Sequence, residues 1–176
     1  MTAGGGCARA WSGTALRLVL GAVLFVAGAL KVTDLAGSVR AVGAYQLMPY
    51  EAAETAGAVL PFLEITVGIL LLAGLATRFA AAVSALLLTA FTAGIISAWA
   101  RGLSIDCGCF GGGGALAAGQ SPQYGWELPR DGLLLAVAVV LVVWPRTAVS
   151  ADGWLARVAA EAEPTAARPA SDAETG

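Results

Sequence analysis

The chain has 176 residues, 58% of them hydrophobic and only 12% charged, with a net charge of −2. Soluble domains carry about 25% charged residues, so this composition excludes an ordinary water-soluble domain, and the lack of a basic surface excludes a nucleic-acid partner. Histidine is absent, which removes the commonest general base and the commonest haem and zinc ligand.

Residues 1–13 are rich in Gly and Ala and read as a disordered N-terminus. A first membrane span is expected at about 14–32, because Leu18 to Leu30 carries no charge and Arg17 can snorkel to the interface below it. A signal peptide is the competing reading, with a basic start, a short apolar core and small residues at Ala27 and Ala29. The apolar spans downstream favour a resident membrane helix. Next, Leu35, Val39, Val42 and Leu47 recur near helical spacing. They predict a short amphipathic helix at about 34–46, lying on the membrane surface or folding back on the bundle, and Pro49 ends it.

A second span is expected at about 52–76, with Pro61 and Glu64 inside it. A third follows at about 79–100, with Trp99 at its end as an interface anchor. Little more than Thr77-Arg78 joins these two, so they are antiparallel neighbours. A fourth is expected at about 131–145, although its apolar stretch from Leu133 to Trp144 is short. Gly21, Gly28, Gly57, Gly68, Gly74, Ala81 and Ala85 suit close helix approach in lipid. The expected fold is an all-α membrane protein, a four-transmembrane-helix bundle over about 14–145. The polar tail, 146–176, reads as largely disordered beyond one amphipathic turn at Trp154, Leu155 and Val158.

An even number of spans puts both termini on one side. That side holds Arg9, Arg17, Arg78, Arg146, Arg157 and Arg168, against Lys31, Arg40, Arg101 and Arg130 on the other. The bias places the termini in the cytoplasm and the link at 101–130 outside. In the inner membrane of a bacterium, that outer face is where disulfides form and persist.

This link contains Asp106-Cys107-Gly108-Cys109-Phe110, followed by Gly111 to Gly114, in a chain with three cysteines. Disulfide exchange needs one thiol to attack and a second to resolve the mixed disulfide, and Cys107 and Cys109 supply both. Gly108 gives the small ring the backbone freedom it needs. A structural disulfide is a weaker reading, since so short a loop restricts the unfolded chain little. Inert thiols and copper(I) binding remain open, but Met48 is the only helper for copper and no metal ligand set is assigned. Arg101 favours a thiolate here and Asp106 opposes it. Cys7, on the cytoplasmic side, has no assigned role.

Glu64 lies near the middle of the second span, where an ionised carboxylate needs a partner, and Lys31 is the obvious one. The depth match is imperfect, because Glu64 lies roughly 18 Å along its helix. The pair reads as a structural lock on helix register, with proton handling or a quinone site as the alternative. Asp131, opposite Arg130 at the start of the fourth span, reads as a structural residue near a helix N-terminus.

This arrangement resembles the MauE family, the methylamine-utilisation membrane proteins grouped with DoxX-like proteins. The resemblance covers about 14–145. It is carried by Ala27-Gly28-Ala29-Leu30-Lys31, Tyr45-Gln46-Leu47-Met48-Pro49, Leu60-Pro61-Phe62-Leu63-Glu64, Arg101-Gly102, Asp106-Cys107-Gly108-Cys109-Phe110-Gly111 and Arg130-Asp131. It implies a four-span inner-membrane protein that assists maturation of the disulfide-rich small subunit of methylamine dehydrogenase. In relatives elsewhere it implies a redox-associated membrane protein.

The expected function is a thiol–disulfide redox or maturation factor acting on an extracytoplasmic protein. Its partners would be a thioredoxin-like protein or a client on the outer face, or a quinone in the bundle. The alternatives are a non-enzymatic assembly or docking subunit, and a copper or small-solute handling membrane protein. No sequence feature sets the oligomeric state.

Overall fold

The computed structural model describes residues 3–108, 113–116, 120–145 and 150–162. In chain order these form α1 (Ala3–Val32), α2 (Leu35–Ala44), α3 (Tyr50–Ala73), α4 (Thr77–Ala100), β1 (Ile105–Asp106), β2 (Gly114–Ala115), α5 (Tyr124–Val143) and α6 (Ala151–Ala162). Ala10–Val32 of α1, together with all of α3 and α4, is long and apolar enough to cross a membrane. At the helical rise, α3 and α4 each reach about 36 Å, more than the ~30 Å hydrocarbon core.

Among the described residues three helices meet that standard, where the sequence reading expects four. The reason lies in α5. It starts at Tyr124, well before the expected position, and its first half carries Glu127, Arg130 and Asp131. Only Gly132 to Val143 is free of charge, roughly 18 Å of helix.

The long helices pack in a ring: α1 on α3, α3 on α4, α4 on α5, and α5 back on α1. Leu20, Leu24, Val67, Leu71, Leu88 and Leu141 meet in its core. Close approach of α1 to α3 depends on missing side chains, because a Cβ at Gly28 would lie 2.6 Å from the Pro61 carbonyl oxygen. Such contacts replace the hydrophobic drive that lipid does not provide between helices. Helix α2 folds back on the bundle. Asp34 caps its start by accepting from the Gly37 N–H at 2.8 Å, and Ser38 donates to the Gly57 carbonyl at 2.8 Å. Pro61 sits inside α3 without ending it.

Four sequence expectations change. Residues 3–13, read as disordered, continue α1; extending a helix already nucleated by a membrane span costs little per residue. Arg17 does not snorkel outward but is buried, beside Gly74 in the α3–α4 turn. That glycine ends α3 in the left-handed conformation, φ +70°, and its missing side chain makes room for the guanidinium. Asp131 is not at a helix N-terminus, because α5 begins earlier; the acidic residue of the first turn is Glu127.

The fourth change is in the tail, which forms a full helix, α6, rather than one turn. Ser150 accepts from the Gly153 N–H at 3.1 Å and opens it. Asp152 then docks on the bundle, accepting from the backbone N–H of Ala76 at 3.0 Å and of Thr77 at 3.3 Å. The tail thus caps the start of α4, where Ala76 has no side-chain oxygen to do so.

Candidate functional site

The link after α4 turns back over the top of the bundle and is pinned there by two tyrosines. Buried Tyr124, the first residue of α5, donates to the Leu103 carbonyl at 2.7 Å and accepts from the Ile105 N–H at 3.1 Å. Tyr45, at the end of α2, donates to the Cys107 carbonyl at 3.3 Å. Among the described residues Arg101 pairs with no carboxylate; its guanidinium donates to the carbonyls of Tyr45 and Ser97. Tyr45 therefore ties Arg101 and the cysteine segment to one helix end.

Strands β1 and β2 form a short antiparallel hairpin, with Ile105 opposite Ala115 and Asp106 opposite Gly114. The hairpin's ends close tightly. A Cβ at Gly113, whose φ is +95°, would fall 2.6 Å from Ala41 Cβ and 2.7 Å from Gly108 Cα. Only glycine fits there. Cys107 is half-buried and Gly108 is buried. Cys109 and Phe110 lie outside the described residues.

Below the hairpin, an apolar groove of about 170 Å³ opens between α2, α3 and α4. Cys107 and Gly108 line one end, and Lys31 and Phe91 line it deeper in the bundle. Lys31 Nζ donates to Glu64 Oε1 at 2.6 Å, and both side chains are almost fully shielded, 6% and 1% exposed. The ammonium also lies 5.1 Å from the centre of the Phe91 ring, a cation–π distance. The depth problem is resolved by the close crossing of α1 and α3 at Gly28, against the helical turn that carries Glu64.

The second ion pair is Arg130–Asp131, at 2.8 Å. Arg130, Asp131, Lys31 and Glu64 all line one small cavity of about 20 Å³ at the centre of the bundle. Two ion pairs that are far apart in sequence therefore line the same cavity. Glu64 Oε2 and Asp131 Oδ2 are buried without a hydrogen-bond partner among the described residues.

On the other side of the hairpin, Asp106 and Glu127 line a polar cavity of about 450 Å³. Donor atoms of Asp106, Cys107 and Glu127 all lie within 4.8 Å of one another. Asp106 Oδ1 accepts from the Gly108 N–H at 3.3 Å. Glu127 is 7% exposed, and its Oε2 has no hydrogen-bond partner among the described residues. A carboxylate in reach of a thiol disfavours a lasting thiolate, yet it can take the proton as the thiolate reacts.

The structure thus brings Asp106, Cys107 and Gly108 together, seats Lys31 in the same groove as Cys107, and commits Arg101 to backbone carbonyls. Sequence reasoning missed Glu127, Tyr124, Phe91 and the role of Tyr45. Glu127 had one visible mark, a carboxylate one turn before Arg130-Asp131 in an otherwise apolar chain. The others are aromatics that any membrane helix end would carry.

No curated protein and no solved structure matches the chain. The family described as "Methylamine utilisation protein MauE" matches residues 9–144, which take in every helix of the ring and the cysteine hairpin. This protein is therefore a membrane protein of the MauE family.

Proposed function

We propose that this MauE-family protein is a thiol–disulfide exchange or maturation factor for an extracytoplasmic protein, working through Cys107 and Cys109. The observation that carries the reading is the setting of Cys107. It is half-buried at the tip of a pinned hairpin, with carboxylates on one side and an apolar groove on the other. In the step itself, Cys107 or Cys109 attacks a partner disulfide as the thiolate; where Cys107 attacks, Asp106 or Glu127 is in reach to take its proton. A mixed disulfide forms and one partner sulfur leaves as a thiolate. The other cysteine then gives its proton to the released partner thiolate, attacks the mixed disulfide, closes the Cys107–Cys109 bond and releases the second partner thiolate. Two electrons pass to the partner, and the reverse sequence oxidises it. The relative reduction potentials set the direction.

In this reading α5 crosses the thin part of the bilayer as a fourth span, sheltered by α1 and α4. The termini are cytoplasmic and the hairpin faces outward in the inner membrane. The redox partner is a thioredoxin-like protein or the client itself at that face, or a quinone that enters the apolar groove from lipid. A methylamine-metabolic role follows from the family description alone.

The test is covalent trapping in living cells. A Cys109→Ser variant should hold its partner as a mixed disulfide through Cys107, or the reciprocal Cys107→Ser variant should do so through Cys109. If neither variant traps a partner, and the doubly substituted chain leaves client disulfides intact, the hairpin is a docking element and the exchange reading is wrong.

A further inference from the structure

We propose that Asp106, Cys107 and Glu127 form a binding site for zinc in the reduced protein. This goes beyond the exchange reading and does not depend on it. The three side chains come from separate places, the end of β1 and the first turn of α5, yet their donor atoms converge within 4.8 Å. A tetrahedral zinc with Zn–S of about 2.3 Å and Zn–O of about 2.1 Å sets its donors roughly 3.5 Å apart.

Burial points to a ligand independently. Glu127 is more than nine-tenths buried, its Oε2 has no hydrogen-bond partner among the described residues, and it faces the polar cavity of about 450 Å³. A buried carboxylate oxygen with no partner is costly, and a divalent cation at the cluster offsets that cost. The nearest arginines in sequence have other partners, Arg101 the backbone carbonyls of Tyr45 and Ser97, and Arg130 the Asp131 carboxylate.

The donor set selects the metal. One thiolate and two carboxylates suit borderline zinc better than hard magnesium or calcium, which take oxygen alone. A chain without histidine must build any zinc site from thiolate and carboxylate. Three protein ligands leave a fourth position, which opens on the polar cavity. Because zinc holds Cys107 as a thiolate, metal binding and a disulfide at Cys107 exclude each other.

The experiment uses the full chain, purified in detergent and fully reduced. Zinc is titrated against a chromophoric competitor, and cobalt(II) is added separately as a spectroscopic probe. One zinc per chain is expected. Glu127→Gln and Asp106→Asn should each weaken binding by about 10-fold or more, the scale on which even supporting residues of metal sites act. Cobalt(II) should give a thiolate-to-metal charge-transfer band that disappears in Cys107→Ser, and oxidation of the wild type should release the metal. Both carboxylate variants are near-isosteric, and the unfolding temperature of the metal-free chain identifies one that misfolds, leaving the other to decide. Failure of wild type to bind stoichiometric zinc overturns the proposal. So does wild-type affinity in the folded carboxylate variants, or a cobalt complex without the thiolate band. Absence of a trapped mixed disulfide would remove the exchange reading and leave this site untouched.

Discussion

Removing the charge of Lys31 alone tests the central ion pair most severely. The ammonium lies 2.6 Å from Glu64 Oε1, and the carboxylate is 1% exposed with its other oxygen already lacking a hydrogen-bond partner among the described residues. In Lys31→Met a buried carboxylate loses its counter-charge, which costs about 3–5 kcal/mol in comparable pairs. Loss of the Phe91 contact adds about 0.5–2 kcal/mol. For a chain of this size the sum, about 3.5–7 kcal/mol, corresponds to a fall of roughly 7–28 °C in Tm. The double variant Lys31→Met/Glu64→Leu removes both charges and should return to within about 1 kcal/mol of the wild type, because well-packed apolar residues replace a buried pair at little cost. The assay is thermal unfolding of detergent-purified protein, read as a double-mutant cycle. If the single and double variants are equally mild, the pair is not coupled and the reasoning fails. If the double variant unfolds more readily than Lys31→Met, the charges serve the fold beyond mutual neutralisation, and the calculation is equally refuted.

Two further outcomes follow from packing and capping. Gly28→Ala puts a methyl 2.6 Å from the Pro61 carbonyl oxygen and 2.8 Å from Ile65 Cγ1, and should destabilise by about 1–3 kcal/mol. Gly125→Ala, which meets nothing within 4 Å, is the control and should leave Tm unchanged or raise it slightly. Asp152→Ala removes the acceptor for the Ala76 and Thr77 N–H groups and should cost about 0.5–2 kcal/mol. Limited proteolysis should then cut the tail sooner; equal cutting rates in the two proteins would mean that α6 is not held by this contact.

The membrane class, the order of the apolar helices and the cysteine pair were legible because each is written in consecutive residues. A charge-free run from Leu18 to Leu30 announces a span whatever surrounds it, and Cys107-Gly108-Cys109 is visible as a string. Even Lys31 and Glu64 could be matched, since two isolated charges in apolar surroundings leave few other pairings. Glu127 was not legible as a site residue. Its meaning depends on where α5 begins, and the chain has no unambiguous cap before Tyr124 to show that.

The tail shows the same limit. Asp152 looks like an ordinary polar residue until the α3–α4 turn presents its open N–H groups to it. Local composition determined which helices are long and apolar enough to cross a membrane, because that property belongs to the residues of each helix alone. Only the tertiary structure decided that Asp106, Cys107 and Glu127 share a corner, and that Lys31, Glu64, Arg130 and Asp131 share a cavity. Those meetings depend on how the helices cross and where the hairpin folds back, and no stretch of neighbouring residues encodes either.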